Sequence, residues 1–378
     1  MDLEAYCAWL SDAGLDAPWS RSGPLIQSKA SCVQPFLWRW AEIEPRLRCS
    51  PQFVVPGRGA ERRILRLANP GVPERTSAHT LSGAIQYLLP GETAPAHRHT
   101  PNALRFMLKG EGAYTIVEGD KCVMAPGDLV LTPSMMWHEH GNEGSEPVMW
   151  LDGLDSPVVR YLEILKMEPR EEPREAVGSG AITPRTIHYK WDDAYRRLLQ
   201  QAESSASPYD DVIVEYRDPL TGASVLPTIG CYLQMIRPGV ETRAHRQTSS
   251  AVYQVVQGSG STTIADERYD WDAGDFFVVP PNAPHNHRHR GTEPAILFSM
   301  QDVPLLHALG LYFAFRRAPP RVCHAGVTTI SCLRVSDLRV FALSCFVNAV
   351  VIAIAAQSEM STIARVPRYS LTLPEASP

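Results

Sequence analysis

The stretch PGETAPAHRHTPNALRFMLKGEG, from Pro90 to Gly112, is written a second time as PGVETRAHRQTSSAVYQVVQGSG, from Pro238 to Gly260. Each copy runs on to a second shared block, PGDLVLTPSMMWHEHGN from Pro126 and AGDFFVVPPNAPHNHRH from Ala273. His97 meets His245 at an offset of 148 residues (245 − 97), and His138 meets His285 at 147 (285 − 138). His99, however, meets Gln247. One duplicated unit therefore carries one intact set of three histidines and one broken set, which points to a working metal site in the first half. The period is far longer than that of a solenoid repeat, so the duplication is of a whole domain.

A chain of 378 residues has room for two such domains with sizeable cores. The net charge of -5 and the pI near 6.2 leave no electrostatic footprint for nucleic acid. Eight cysteines, at positions 7, 32, 49, 122, 231, 323, 332 and 345, contain no CxxC pair. They read as reduced thiols of a cytoplasmic protein rather than a disulfide framework. The opening MDLEAYCAWLSDAG has early acids and no basic-then-apolar leader.

Residues 1–60 read as an N-terminal helical arm. DLEAYCAWLSDAG places Leu3, Tyr6, Cys7 and Leu10 near helical spacing with Gly14 as a stop, and Trp38 and Trp40 are expected to pack on the first barrel or on a neighbouring subunit. From about Arg62, short apolar or alternating runs (RRILRLAN, GAIQYLL, ALRFMLK, AYTIVEG, KCVMA, DLVLTP) are separated by Gly, Pro, Asp or Asn. Close-spaced short strands predict a mainly β fold, a sandwich or a barrel. The expected division is a first barrel over 61–155, a linker over 156–210, a second barrel over 211–312 and an atypical tail over 313–378. In the linker, REEPREAVGSGAITPR is charged and turn-rich, and WDDAYRRLLQQA predicts an amphipathic helix with Trp191, Tyr195, Leu198 and Leu199 as its apolar positions. The repeat is expected to end at Tyr312. In the tail, VFALSCFVNAVVIAIAA (340–356) is at the short limit for a membrane span. It reads as a marginal anchor, a buried or oligomer-facing segment, or a tail without a settled role; the last is preferred, and a membrane partner is not expected.

On a strand, residues i and i+2 face the same side, so His97 and His99 can both enter one barrel, and His138 can close a facial set of three. HxH alone is a weak signal. The whole frame of Gly91, His97, His99, Gly127, Pro133, Met135, His138 and Asn142 is a strong one, because the copy lacking the second histidine keeps the surrounding turn residues. Imidazole suits iron, zinc and copper alike, so ligand type does not choose the metal. Three neutral imidazoles leave three neighbouring positions open on an octahedral ion.

This frame resembles the two motifs of the cupins, and the chain resembles a bicupin, which implies a mainly β fold of two tandem jelly-roll barrels with an N-terminal helical arm and a helical linker. PGETAPAHRHTPNALRF, GEGAYT and WHEHGNEGSEPVMWLDGLD resemble the gentisate 1,2-dioxygenase family, together with its salicylate and 1-hydroxy-2-naphthoate relatives. The resemblance covers roughly residues 30–312. It weakens at Met135–Met136, where that family commonly has tryptophan, and this bears on substrate choice. Many cupins add a glutamate ligand a few residues after HxH; here that position is about Ala103.

The resemblance implies Fe(II) held by His97, His99 and His138, and gentisate opened between its carboxylate-bearing and hydroxyl-bearing carbons to maleylpyruvate. Both atoms of O2 enter the product. Salicylate or 1-hydroxy-2-naphthoate in the same chemistry, or a non-oxidative isomerase or decarboxylase, are the alternatives. Arg105 has the parity of His97 and His99, and a turn near Thr100–Asn102 would bring it back to the metal. Its partner is either a barrel acid or a substrate carboxylate held bidentately, and the resemblance favours the substrate. His140, two residues from His138, is expected to act as acid or base, or as a donor to dioxygen. Asp152 is expected to orient His140 or hold substrate. Gln86, polar in an apolar strand, is placed in the pocket. Arg62 and Arg63 are candidates for a second carboxylate contact; the sequence does not say which faces inward, and Arg63 is counted among the substrate residues. The family suggests a homotetramer, with the aromatic arm as an interface.

Overall fold

A computed structural model describes residues 1–23, 30–56, 59–60, 62–170 and 187–316 of the chain. Both barrels fall within one compact unit, Met1–Pro319. The apolar stretch 340–356 and positions 171–185 of the charged linker lie outside the described residues. Of the tail 313–378, only 313–316 are described.

The fold is mainly β, as the repeat predicts: two jelly-roll barrels in tandem, preceded by a helical arm and joined by a helical linker. In the first barrel a six-stranded sheet runs in the order His188–Tyr189, Leu129–Thr132, Ala103–Lys109, Val148–Leu154, Ser82–Leu88, Ile64–Arg66. It faces a five-stranded sheet in the order Met167–Pro169, Thr93–His99, His138–Asn142, Ala113–Val117, Asp120–Val123. The second barrel repeats the six-stranded sheet from Phe36–Trp38 through Val212–Glu215, and carries a smaller opposing sheet that includes His285–Arg290.

Strand burial follows position. Ala113–Val117 alternates between buried and partly exposed, as expected of a sheet with one solvated face. Ser82–Leu88 is buried throughout. One of its faces lines the first barrel while the other packs towards the second barrel, where Gly83 leaves room for Met300. At the same interface the rings of Phe106 and Phe298 stack with centroids 4.0 Å apart. Phe106 is adjacent in sequence to Arg105, so the alternation that turns Phe106 outward turns Arg105 inward.

The arm and the linker do the same job for opposite barrels. Phe36–Trp38 adds an antiparallel edge strand to Phe276–Val279 of the second barrel. His188–Tyr189 adds one to Leu129–Thr132 of the first. A helix follows each: Trp40–Cys49 and Trp191–Ser204. The backbone N–H of Trp40 donates to Asp275 Oδ1 at 2.8 Å, and that of Trp191 donates to Asp128 Oδ1 at 2.9 Å. Burial alone would raise the Asp128 carboxyl; hydrogen bonds from His188 and Lys190 outweigh it and hold the pKa at about 2. Trp40 thus packs on a turn of the second barrel, where the sequence suggests the first barrel or a neighbouring subunit, and the helix it opens also reaches the first barrel, where Glu44 accepts from Lys109 at 2.9 Å. The strand that leads into each barrel is laid on the other one.

The expected helices form, at Leu3–Asp12 and Trp191–Ser204. Asp2 caps the first by accepting from Ala5 N at 2.8 Å. None of its residues is buried, and Trp9 is 62% exposed. In the linker helix Leu198 is buried, but Leu199 is 43% exposed and lies off the packed face. The repeat also extends further than the sequence indicates. Met167–Pro169 pairs with His97–His99, and Ala314–Phe315 pairs with Arg246–Gln247 in the same way. The unit therefore continues past Tyr312; main-chain pairing, rather than side-chain identity, carries this last piece.

The tight turns opposite the two tryptophans need glycine. Gly127 has φ +87° and Gly274 has φ +93°. A Cβ on Gly274 would lie 2.7 Å from Cγ of Trp40. Gly274→Ala is expected to lower stability by about 2–4 kcal/mol, from the left-handed backbone and from overpacking against the indole. Urea denaturation would read this; an unchanged midpoint would mean that the exchanged tryptophan is not anchored at this turn.

Candidate metal centre

His97 and His99 share a face of the strand Thr93–His99, and His138 lies opposite His97 on the neighbouring strand His138–Asn142. The ring centroids of His97 and His138 are 4.2 Å apart, and those of His99 and His138 are 4.8 Å apart. One ligand atom from each of the three lies within 4.8 Å of the others. Each ring is fixed by a backbone carbonyl close in sequence. Nδ1 of His97 donates to Pro95 O at 2.7 Å, Nδ1 of His99 to Pro101 O at 2.8 Å, and Nδ1 of His138 to Met136 O at 2.8 Å. A carbonyl can only accept, so each Nδ1 carries the proton and each neutral Nε2 presents a lone pair. Burial, reinforced by Arg62, draws the His97 pKa down to about 3; burial, reinforced by Arg105, draws His99 down to about 4. Burial takes His138 well below its ordinary value as well.

The donor set fits a divalent metal. His138 Nε2 is buried without a hydrogen-bond partner. The guanidinium of Arg62 also lies against the His97 ring. In the second barrel His245 and His285 keep ring centroids 4.3 Å apart. There Gln247 turns its amide to Gln301, at 2.9 Å, and accepts from Tyr312, at 3.1 Å.

Arg105 is on the strand Ala103–Lys109, in the opposite sheet, after a bend through Thr100–Asn102. It is 1% exposed. Its Nε stands 3.5 Å from Asp152 Oδ1, and its Nη1 bonds Thr132. Burial pulls Arg105 down to about 10 while Asp152 opposes the shift; burial raises Asp152 while Arg105 opposes it. A cavity of about 180 Å³ adjoins the triad, with Arg62, Ala84, His97, His99, Asp152 and Leu154 among its lining residues.

Other expected residues divide. His140 is fully buried, its Nδ1 lies 2.9 Å from Thr115 Oγ1, and its Nε2 has no partner among the described residues. Asp152 makes no bond to it: Oδ1 of that carboxylate meets Arg105 and accepts from Trp150 Nε1 at 3.0 Å, while the His140 ring bonds Thr115. Gln86 is buried on the strand Ser82–Leu88 with both amide atoms unpartnered, and it is not among the cavity-lining residues. Arg63 is a correction. It is 2% exposed, binds Glu92 at 2.7 Å and the carbonyl of Val54 at 2.8 Å, and leaves the cavity to Arg62. The reason is parity: Arg62, Ile64 and Arg66 line the cavity and alternate with Arg63 and Leu65. Arg66 was legible from the same alternation and was missed. Met135 and Met136 do not line the cavity. Met135 instead takes a left-handed backbone, φ 62°, as does Asn282 at the matching place, φ 61°.

Two outcomes follow. In metal-free protein, His97, His99, His138, His140, His285 and His287 are all depressed by burial. Below their unfolded value near 6.5 the unfolded chain takes up protons that the fold refuses, so stability falls as pH drops through that value. Asp152, Asp155 and Asp302 are raised and act in the opposite sense, with Asp302 at about 6. They are outnumbered, so the urea midpoint is expected to be lower at pH 5.0 than at pH 7.5; a midpoint that holds or rises would contradict the neutral imidazoles. Separately, Arg105→Met leaves Asp152 buried without its cation and is expected to lower stability by about 3–5 kcal/mol. Much of this should return in Arg105→Met/Asp152→Leu, as measured by thermal denaturation.

The cupin domain family matches residues 84–153 and 232–301, one match in each barrel. A 5-aminosalicylate 1,2-dioxygenase from Comamonas sp. is 37% identical over 335 residues, covering 82% of this chain and 89% of the relative. A gentisate 1,2-dioxygenase from Streptomyces sp. is 36% identical over 338 residues, covering 82% and 94%. The crystal structure of a salicylate 1,2-dioxygenase from Pseudaminobacter salicylatoxidans superposes with a TM-score of 0.75 at 31% identity, covering 83% of this chain and 97% of that one. Among the described residues no helix is long and apolar enough to cross a membrane.

Proposed function

The chain belongs to the family of gentisate, salicylate and 1-hydroxy-2-naphthoate 1,2-dioxygenases, and from that membership we propose that it is an Fe(II)-dependent enzyme that opens the ring of gentisate to maleylpyruvate. As a member it is an oxidoreductase of the ring-cleaving dioxygenase class. In the proposed reaction the bond between the carboxylate-bearing and hydroxyl-bearing carbons breaks. Both atoms of O2 enter the product, so no separate reductant is consumed. One observation carries the reading: three neutral Nε2 lone pairs converge beside a cavity lined by Asp152, and the buried Arg105 stands behind that carboxylate.

When bound, Fe(II) would supply open coordination positions and a redox-active centre for the aromatic acid and dioxygen. His97, His99 and His138 would hold it through Nε2. Arg105, fixed by Asp152 and Thr132, would grip the substrate carboxylate and set the ring angle. Arg62, at the cavity, takes the second carboxylate contact first assigned to Arg63. Ala84 and Leu154 give the ring an apolar wall. His140, neutral and with Nε2 unpartnered, would accept the proton of the substrate hydroxyl. Gln86 has an unsatisfied amide for a further polar contact.

A cavity of about 180 Å³ is smaller than the roughly 300–1,000 Å³ of drug-sized ligand sites and suits a single ring better than a naphthoate. 5-Aminosalicylate is the second reading. It is named for the Comamonas relative, and its 5-amino group donates electrons to the ring as the 5-hydroxyl of gentisate does. We place the division of labour at residues 61–155 for the metal barrel and 211–312 for its degenerate copy, in a cytoplasmic homotetramer that uses the exposed arm as an interface.

Oxygen uptake by iron-loaded protein with gentisate, 5-aminosalicylate, salicylate and 1-hydroxy-2-naphthoate tests the assignment. Gentisate is expected to give the highest kcat/KM and the bicyclic acid the lowest. His99→Ala should abolish both iron content and turnover. Uptake with none of the four acids, in protein that holds iron, would sink the proposed reaction.

A further inference from the structure

The two barrels touch through a reciprocal polar latch. An aspartate at the end of the last long strand of each barrel accepts from a threonine of the other. Thr228 Oγ1 donates to Asp155 Oδ2 at 2.5 Å, and Thr80 Oγ1 donates to Asp302 Oδ2. The residues correspond through the repeat, Thr80 to Thr228 (228 − 80 = 148) and Asp155 to Asp302 (302 − 155 = 147). Each aspartate also receives a backbone N–H from the loop after the HxH or HxQ segment. Asn102 N donates to Asp155 Oδ1 at 2.8 Å, and Ser250 N donates to Asp302 Oδ1 at 2.8 Å.

Beyond this point the copies differ. In the first barrel the Asn102 side chain carries the latch onward. Its Nδ2 donates to Asp155 Oδ2 at 2.9 Å and lies 3.2 Å from Thr228 Oγ1, while its Oδ1 accepts from Ser134 N at 3.1 Å. Asn102 therefore ties together the two loops that hold metal ligands. Its own loop supplies Pro101 O to His99 Nδ1, and the loop of Ser134 supplies Met136 O to His138 Nδ1. Met135 N also donates to His99 O, at 2.8 Å, a contact that Asn282 N and Gln247 O repeat at 2.7 Å in the second barrel. In the second barrel Asn102 becomes Ser250, whose hydroxyl is buried without a partner among the described residues. Ser134 becomes Pro281, which has no N–H to give. The latch is kept in both barrels, and its extension to the ligand loops is found where the three histidines are complete.

We propose that Thr228 of the second barrel is a positioning residue for the metal site of the first, acting through Asp155 and Asn102 on the loops that aim His99 and His138. This rests on the reading of the triad as a metal site. The second barrel, whose own histidine set is broken, thereby acts on metal binding. Thr80 makes the matching contact with Asp302, whose other partner is Ser250 N, and so does not reach the loops of His99 and His138.

The test measures Fe(II) affinity of the metal-free full chain, by anaerobic competition with a chromogenic chelator, beside the thermal midpoint. Thr228→Ala and Asn102→Ser are expected to weaken Fe(II) binding by about 10- to 100-fold, the range seen when groups that orient metal ligands are lost. Thr80→Ala should lower the midpoint as Thr228→Ala does and leave the affinity unchanged; Thr228→Ser should restore it. Equal weakening by Thr80→Ala and Thr228→Ala would overturn the proposal, as would wild-type affinity in both Thr228→Ala and Asn102→Ser. If Thr228→Ala does not fold, Asn102→Ser, which copies the second barrel's residue, decides on the same readout. Wild-type protein that binds Fe(II) but consumes no oxygen with the four acids sinks the proposed reaction while the affinities still decide this inference; wild-type protein that binds no Fe(II) overturns both.

Discussion

The Nδ1–H of each of three imidazoles is held by a carbonyl two residues away in the chain, and the rest of the site depends on that constraint. An imidazole free to rotate would offer either nitrogen and either tautomer. One tied by Nδ1 to its own loop can offer only the Nε2 lone pair, in one direction. Burial then keeps the ring neutral, so the lone pair is not taken by a proton near neutral pH. Local backbone geometry does the aiming, so the loops matter as much as the histidines.

The interior opposite the triad follows a different logic. A guanidinium and a carboxylate are buried side by side, each shifted by burial towards its neutral form and each held back by the other. Such a pair is weak evidence for stability, since desolvation offsets much of the attraction. In the second barrel Tyr253 and Ser299 stand at the corresponding places, so the charges vanish together with the third histidine. The His140–Thr115 contact behaves otherwise: His287 and Thr262 repeat it at 2.9 Å in the barrel without the triad. Of the polar groups around the site, the ion pair tracks the complete ligand set, and the histidine–threonine pair tracks the fold.

Much of this was legible in the chain because it is periodic or repeated. The two barrels follow from self-similarity, and the triad follows from strand alternation plus a repeat in which one position fails. Arg63 shows where such reading stops. Alternation groups Arg62 with Ile64 and Arg66, but nothing in the chain says which group faces the cavity; Glu92 and the Val54 carbonyl, which take Arg63 away, are set by tertiary approach. The same holds for Trp40, whose partner turn lies more than two hundred residues away, and for Asn102, whose role needs three segments to meet. Periodicity reports which side of a strand a residue is on. It does not report what waits there.

The exchanged edge strands also set a schedule for folding. Phe36 pairs with Val278, so it is synthesised 242 residues (278 − 36) ahead of its partner. At about 5–20 residues per second, that is a wait of roughly 12–50 s on the ribosome. The first barrel's own edge at Leu129–Val130 waits only for His188–Tyr189, with Leu129 made 60 residues ahead of its partner Tyr189 (189 − 129). The leading barrel can therefore close early, while an apolar ribbon bearing Phe36, Leu37 and Trp38 trails unpaired until almost the whole described chain has emerged. Non-local pairing of this kind is slow, and it leaves sticky surface in contact with the cell before it is covered. Among the described strands this short ribbon waits longest for its partner, and it is the one a chaperone would shelter.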